Sequence, residues 1–142
     1  MPIQYIIITL VKKCDDPLQN YSNCKYPVGV GNATDALEML VTASGIGAVY
    51  EVIISTHTMI ATASAISANG AVPVPVECGS DHLIDPESII KEINSRTRCI
   101  MPTQLNGRTA KMDDCAWFAC ATIAIADWLS TDAFVKFAVS LA

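Results

Sequence analysis

Residues 51–77 read EVIISTHTMIATASAISANGAVPVPVE and predict a strand, a helix and a second strand. EVIIS is a short apolar run typical of a buried strand, and Met59–Asn69 predicts an Ala-rich helix that ends at Gly70. The following run, Ala71–Glu77, contains two prolines, which favour an edge strand or the end of a strand.

The same alternation continues on both sides of this unit. Upstream, Tyr26–Val30 predicts a short strand and Thr34–Ser44 predicts a helix. Downstream, a helix is predicted from Asp85, with Asp as its N-cap and Pro in its first turn, and Arg98–Met101 predicts a strand. We therefore expect an α/β protein with a parallel or mixed sheet flanked by helices on both faces.

Composition and charge exclude several classes of protein. The chain has 142 residues, a formal net charge of -5 and 51% hydrophobic residues, which fits one domain or a piece of a larger one. Its acidity argues against a nucleic-acid partner. Six scattered cysteines, without a CxxC pair or a suitably spaced His, indicate reduced thiols and predict no metal site. No signal peptide is evident, and the longest apolar run, Cys115–Ala126, is too short to span a membrane, so a cytoplasmic protein is expected.

A candidate anion site lies in Val28–Leu40, VGVGNATDALEML, where a short strand runs into a turn and a helix. The first N–H groups of a helix lack partners within it, and the helix dipole is positive at that end. Small residues would let a phosphate approach the backbone, and Thr34 could add a hydroxyl. Alternatively, Asn32 or Thr34 is simply the N-cap of the helix.

Three separate stretches in this order resemble the DegT/StrS family of sugar aminotransferases. They are KYPVGVGNATDALEML, EVIISTHTMIATASAISANGAVPVPVE and LIDPESIIKEINSRTRCIMPTQLNGRTAKMD. The resemblance implies a fragment of the large domain of the aspartate-aminotransferase-like type I fold of pyridoxal-phosphate enzymes. On this basis residues 25–113 form part of the cofactor-binding domain. Residues 1–24 form an atypical N-terminal segment, and residues 114–142 an atypical hydrophobic segment for which we expect helix.

The resemblance also assigns cofactor-binding positions. Asn32, Ala33 and Thr34 match the segment that holds the phosphate of pyridoxal 5'-phosphate. Met59 falls where the family places an aromatic ring stacked on the pyridine face, and a polarizable methionine can pack on a ring as well. The alternative for Met59 is a core methionine at the start of a helix.

Three further residues are candidates for the substrate loops. Gln104 and Asn106 lie in the family-like loop after a strand, where ligands of open α/β sheets gather, and His57 is close to Met59 in sequence. Ordinary turn chemistry ahead of Gly107 would also explain Gln104 and Asn106. A bond to a neighbouring backbone group would explain His57.

The two groups that carry the chemistry of the family have no clear match. The family requires a lysine that forms the Schiff base and an acid that keeps the pyridine nitrogen protonated. Asp127 follows IAIA but lacks the small residues and glutamine expected after it, and Lys136 lies outside any family pattern. No catalytic residue is therefore assigned, and the chain is not expected to transaminate alone.

The family-level function is amino transfer from an amino-acid donor such as glutamate to a nucleotide-linked keto sugar, commonly by a homodimer. The alternative is a non-catalytic, truncated or frameshifted remnant that at most binds a phosphate-bearing ligand. A dinucleotide-binding domain is disfavoured, because Gly29 and Gly31 lack a third glycine at the fingerprint spacing.

Overall fold

The structure, a computed structural model, describes residues 30–111, 121–123, 125–126 and 139–141. The chain divides into two units, Met1–Asn32 and Ala33–Ala142. The first is described only at residues 30–32, so the predicted strand Tyr26–Val30 lies almost wholly outside the described residues, and Val30 itself is not in a strand.

The second unit alternates helices and strands as the sequence predicts. Its described helices are α1 (Ala33–Ala43), α2 (Ile60–Ala68) and α3 (Pro86–Glu92). Its longer strands are β1 (Glu51–Ser55), β2 (Val72–Val76) and β3 (Thr97–Met101). The shorter strands are β4 (Thr103–Gln104), β5 (Ala121–Ile123), β6 (Ile125–Ala126) and β7 (Val139–Leu141).

The main sheet is mixed, with the strand order β2-β1-β3-β5-β7. The pairs from β2 to β5 are parallel, and β7 lies antiparallel to β5. In the chain, β4 follows β3 and β6 follows β5. Strands β4 and β6 pair with each other in parallel and form a separate two-stranded sheet. Pro102 separates β3 from β4, since proline cannot donate a hydrogen bond to a neighbouring strand.

Helices cover both faces of the sheet, which confirms the predicted architecture. All five residues of β1 are buried, as expected for a central strand between two helical layers. On one face α1 and α2 pack on the sheet through Leu37, Val41, Ile46, Val52, Ile54, Ala65, Ile66, Ala71, Cys99 and Met101. On the other face α3 and adjoining loops pack through Ile53, Val76, Leu83, Ile84, Ile89, Ile100 and Ala110.

Glycines end α1 and α2 in the same way. Gly45 has φ 67° and Gly70 has φ 78°, a left-handed conformation that glycine adopts without steric cost. The amide of Ile46 donates to the Val41 carbonyl at 3.2 Å, and that of Ala71 donates to the Ile66 carbonyl at 3.3 Å. These are Schellman motifs, and they turn the chain directly from each helix toward the next strand.

The expectation of helix for the C-terminal segment is wrong where the structure describes it. Residues 121–123, 125–126 and 139–141 are in strands. Thr122, Ile123 and Ile125 are β-branched, which disfavours helix and suits a strand. The remainder of residues 114–142, with Lys136, lies outside the described residues.

The two prolines of β2 block the outer edge of the sheet. The Val72 amide donates to the Tyr50 carbonyl, so residues 72, 74 and 76 direct their backbone groups toward β1. Pro73 and Pro75 occupy the alternate positions, whose amides would otherwise point outward. The outer edge of β2 consequently has no N–H donor within the strand, which protects it from pairing with another strand.

Restoring these donors is expected to make the protein self-associate. The double variant Pro73→Thr/Pro75→Thr gives the edge two outward N–H groups, and sedimentation velocity should then detect concentration-dependent oligomers. Val72→Thr is the matched control, since the Val72 amide already bonds to Tyr50. Equal association of the control and the double variant would contradict this explanation.

Asp85 caps α3 as the sequence predicts. Its carboxylate accepts hydrogen bonds from the amides of Glu87 at 3.3 Å and Ser88 at 3.2 Å, and from the Ser88 hydroxyl at 2.8 Å. The Ser88 hydroxyl bond, helped by the two amides, lowers the pKa of Asp85 below its ordinary value.

Because the pKa of Asp85 is lowered in the folded protein, its carboxylate stabilises the fold above the unfolded-state pKa of about 3.9. That contribution is lost as the pH falls through the folded-state value. Urea unfolding at pH 6 and pH 3 should therefore show a smaller acid-induced loss of stability for Asp85→Asn than for the unmodified protein. Glu87→Gln, which removes a charge from the same turn but not the cap, should keep the full loss.

Candidate functional site

The strand order predicts a crevice at the carboxyl edge of the sheet, the edge at which the parallel strands end. From β1 the chain crosses to β2 on one side, and it then returns past β1 to β3 on the other side. The connections leaving β1 and β3 therefore diverge, and ligands of open α/β sheets bind in such crevices.

Helices α1 and α2 direct their N-termini toward this edge. Their C-termini lie at the opposite edge, the amino edge. There the turn into β1 and the turn into β2 are close together, because a Cβ added to Gly70 would lie 3.6 Å from Ala48 Cα. Asn69 joins the two helix ends by donating to the Glu38 carbonyl at 3.3 Å and accepting from the Thr42 hydroxyl at 2.6 Å. With eleven residues, α1 is about 16 Å long, close to the length of a five-residue strand.

The predicted phosphate-binding turn leads into a helix as expected. Ala33 and Thr34 are the first two residues of α1, and both are half-buried. They lie at the helix end that faces the carboxyl edge. Asn32 is exposed and belongs to the first unit, at its boundary with α1.

Met59 is exposed at the start of α2. It is the N-cap residue, with extended backbone angles, and 61% of its surface is accessible. Its neighbour Ile60 is 77% exposed. The alternative of a core methionine is therefore wrong, because an exposed thioether at this position does not pack in either core cluster.

His57 is exposed in the loop after β1 and contacts a second histidine. Its ring lies edge-on to that of His82, with the centroids 6.0 Å apart. The backbone amide of His57 donates to the Ser55 hydroxyl at 3.2 Å. His82 has φ 64°, which is uncommon for a residue with a side chain and fixes the loop after β2 in a tight bend.

Gln104 and Asn106 shape the loop after β3. The amide of Ala110 donates to Gln104 Oε1 at 2.6 Å, which closes the loop. Asn106 and Gly107 have φ 51° and 72° between Leu105 and Arg108, whose amide donates to the Leu105 carbonyl. This is a type I′ turn, so the turn-chemistry alternative explains the backbone role of Asn106.

Sequence reasoning missed a hydroxyl chain across the crevice. Thr103 donates to Thr58 Oγ1 at 2.7 Å, and the hydroxyl oxygens of Thr58 and Thr62 are 2.9 Å apart. Thr62 and Thr103 are buried. The only sequence signal was the presence of hydroxyl residues directly after two predicted strands.

A second missed pair lies between the last residue of β1 and the loop after β2. Ser55 Oγ and Cys78 Sγ are 3.0 Å apart, and the Thr56 hydroxyl donates to the Val76 carbonyl at 3.0 Å. Ser55 is almost fully buried, while the Cys78 thiol is half-buried. These bonds connect the end of β1 and its loop to β2. The hydroxyl chain of Thr103, Thr58 and Thr62 lies on the β3 side of the crevice.

Neither a metal centre nor a membrane span is found in the part of the chain that the structure describes. No group of three or more His, Cys, Asp or Glu side chains there could hold a metal ion. The helices in those ranges are too short or too polar to cross a bilayer.

Comparison with known proteins identifies the family. The model of the DegT/DnrJ/EryC1/StrS aminotransferase family matches residues 9–123. The chain belongs to this family. The match is wider at both ends than residues 25–113, over which the resemblance was expected.

One curated relative and two solved structures illustrate the similarity. The dTDP-3-amino-3,4,6-trideoxy-alpha-D-glucose transaminase of Streptomyces venezuelae is 45% identical over 94 residues, which are 66% of this chain and 25% of the relative. S. venezuelae DesV superposes with a TM-score of 0.75 at 29% identity, covering 84% of this chain and 39% of that one. The PLP form of Spr1654 from Streptococcus pneumoniae gives a TM-score of 0.75 at 25% identity, covering 83% and 35% of the two chains.

The family member described here is thus an α/β fragment with the fold of type I pyridoxal-phosphate aminotransferases. It spans 25–32% of the length of the curated relatives that it matches.

Proposed function

We propose that this chain forms the phosphate-binding and ring-packing side of a pyridoxal-phosphate site in an aminotransferase for nucleotide-linked keto sugars. The observation that carries the proposal is the joint placement of the start of α1 and the exposed Met59 at the carboxyl edge. Membership in the family supports the class of reaction, and amino transfer from a donor such as glutamate is part of the proposal.

The residues present fit the cofactor in size and chemistry. Ala33 is small enough to let a phosphate approach the backbone, and the first amides of α1 supply donors together with the positive end of the helix dipole. The Thr34 hydroxyl would add one further donor.

Met59 supplies an apolar surface for the pyridine ring. Its exposed thioether can pack against an aromatic face, although less specifically than a ring would. The cofactor, when bound, would provide the electron sink for amino transfer. The part of this chain is to bind its phosphate and orient its ring.

The loops after β1 and β3 would form the substrate side of the crevice. His57 is exposed there and can donate or accept a hydrogen bond. Gln104 and Asn106 hold the loop after β3 in its observed shape. We propose that these three residues define where the sugar nucleotide enters. Pairing of two chains into a homodimer is part of the same proposal.

A titration with pyridoxal 5'-phosphate, followed by absorbance, tests the phosphate site. The full chain should bind pyridoxal 5'-phosphate more tightly than pyridoxal, which lacks the phosphate. Thr34→Val should weaken binding of the phosphate ester about tenfold, the value of one hydrogen bond to a charged group. It should leave pyridoxal binding unchanged.

Thr42→Val is the matched control for Thr34→Val. It makes the same substitution on α1 but at the amino edge, where the hydroxyl bonds to Asn69. It should lower stability without changing the preference for the phosphate ester. Equal affinities of the unmodified chain for pyridoxal 5'-phosphate and pyridoxal would contradict the proposed phosphate site.

Met59→Phe tests the ring-packing role. A phenyl ring stacks on the pyridine face better than a thioether, so binding of pyridoxal 5'-phosphate should tighten, while Met59→Ala should weaken it. Because Met59 is exposed, neither change should alter the unfolding midpoint in urea by much. Identical affinities of the three proteins would show that the side chain at position 59 does not touch the ring.

A further inference from the structure

Met59 has an exposed side chain, and its backbone lies beside residues that are hydrogen-bonded and buried. Its side chain is 61% exposed and takes no part in the core clusters. The residue before it, Thr58, belongs to the hydroxyl chain Thr103–Thr58–Thr62. The carbonyl of Met59 accepts from the Thr62 amide at 3.0 Å.

Thr58 has a hydroxyl partner on each side, and only its bond with Thr103 has an assigned direction. Thr103 donates to Thr58 Oγ1, so one lone pair of that oxygen is used and the Thr58 proton can be directed to Thr62. Thr62 is 2% exposed and Thr103 is 5% exposed. Water competes little for hydrogen bonds at buried groups, so both outer members of the chain are firmly placed.

These contacts connect the two sides of the crevice. Thr103 is the first residue of β4, directly after Pro102, whereas Thr58 and Thr62 belong to the loop and helix that follow β1. These contacts supply a continuous path from Thr103 to Thr58 and to the adjacent backbone of Met59.

We propose that Thr103, acting through Thr58 and Thr62, is a positioning residue that sets the place and order of Met59 at the mouth of the crevice. The functional value of that order rests on the proposed function, in which Met59 packs on the cofactor ring. The mechanical coupling itself does not depend on any ligand.

Methionine methyl NMR on the full chain without cofactor tests the coupling. The chain has five methionines, and Met59→Leu assigns the Met59 signal by its disappearance. Thr103→Val keeps the shape of the side chain but removes the hydroxyl, and it should shift the Met59 methyl signal toward the position of a freely rotating methionine. Thr103→Ser should restore the original signal.

Two further signals separate coupling from general damage. Met101 is fully buried and reports on the core, while Met39 is exposed on α1 and should not move. Thr56→Val is the matched control, because its hydroxyl lies at the same edge but bonds to the Val76 carbonyl instead of the hydroxyl chain. It should leave the Met59 signal in place.

A change in the position of the Met101 signal would show that Thr103→Val does not fold. In that case Thr58→Val is used instead, which removes the middle hydroxyl of the chain at a half-buried position. An unchanged Met59 signal in the folded variant would overturn the positioning role. Repeating the titration with pyridoxal 5'-phosphate distinguishes the two proposals. Suppose that Thr103→Val shifts the Met59 signal but the unmodified chain does not bind pyridoxal 5'-phosphate. This result would support the coupling and refute the proposed function.

Discussion

The central position of β1 is the constraint on which the rest of the structure depends. This strand pairs with β2 on one side and β3 on the other, and all five of its residues are buried. Burial on both faces requires a helical layer on each side, which α1 and α2 supply on one face and α3 on the other. The same central position makes the chain cross from one side of β1 to the other, and that crossing creates the crevice.

The two edges of the sheet differ in their chemistry. At the amino edge the carboxylate of Glu51, only 8% exposed, pairs with Arg96 and accepts from Asn94 Nδ2 at 2.7 Å. Such a pair chiefly avoids the penalty of an unmatched buried charge. Schellman turns and Asn69 fix the helix ends at the same edge. The carboxyl edge instead carries hydroxyl groups, an exposed methionine and loops with left-handed residues.

The sequence predicted local features well because local chemistry determines them. The bounds of β1, the cap at Asp85 and the turn at Gly70 all follow from residue types acting within a few positions. The hydroxyl chain could not be predicted, since Thr58 and Thr103 are 45 residues apart and meet only through strand order. In the C-terminal segment, a short apolar run without clear periodicity does not by itself distinguish helix from strand, and only its β-branched residues favour a strand.

The exposure of Met59 shows why neighbouring contacts matter at this site. A residue that must contact a ligand cannot be anchored by burying its own side chain, because the buried surface could then no longer contact the ligand. If Met59 packs on a ligand as proposed, its anchoring falls to Thr58 and to the backbone carbonyl of Met59, whose partners are buried. An unbranched thioether is also more mobile than an aromatic ring. Under the proposed positioning role, a flexible side chain at position 59 therefore depends on the threonines beside it for its orientation.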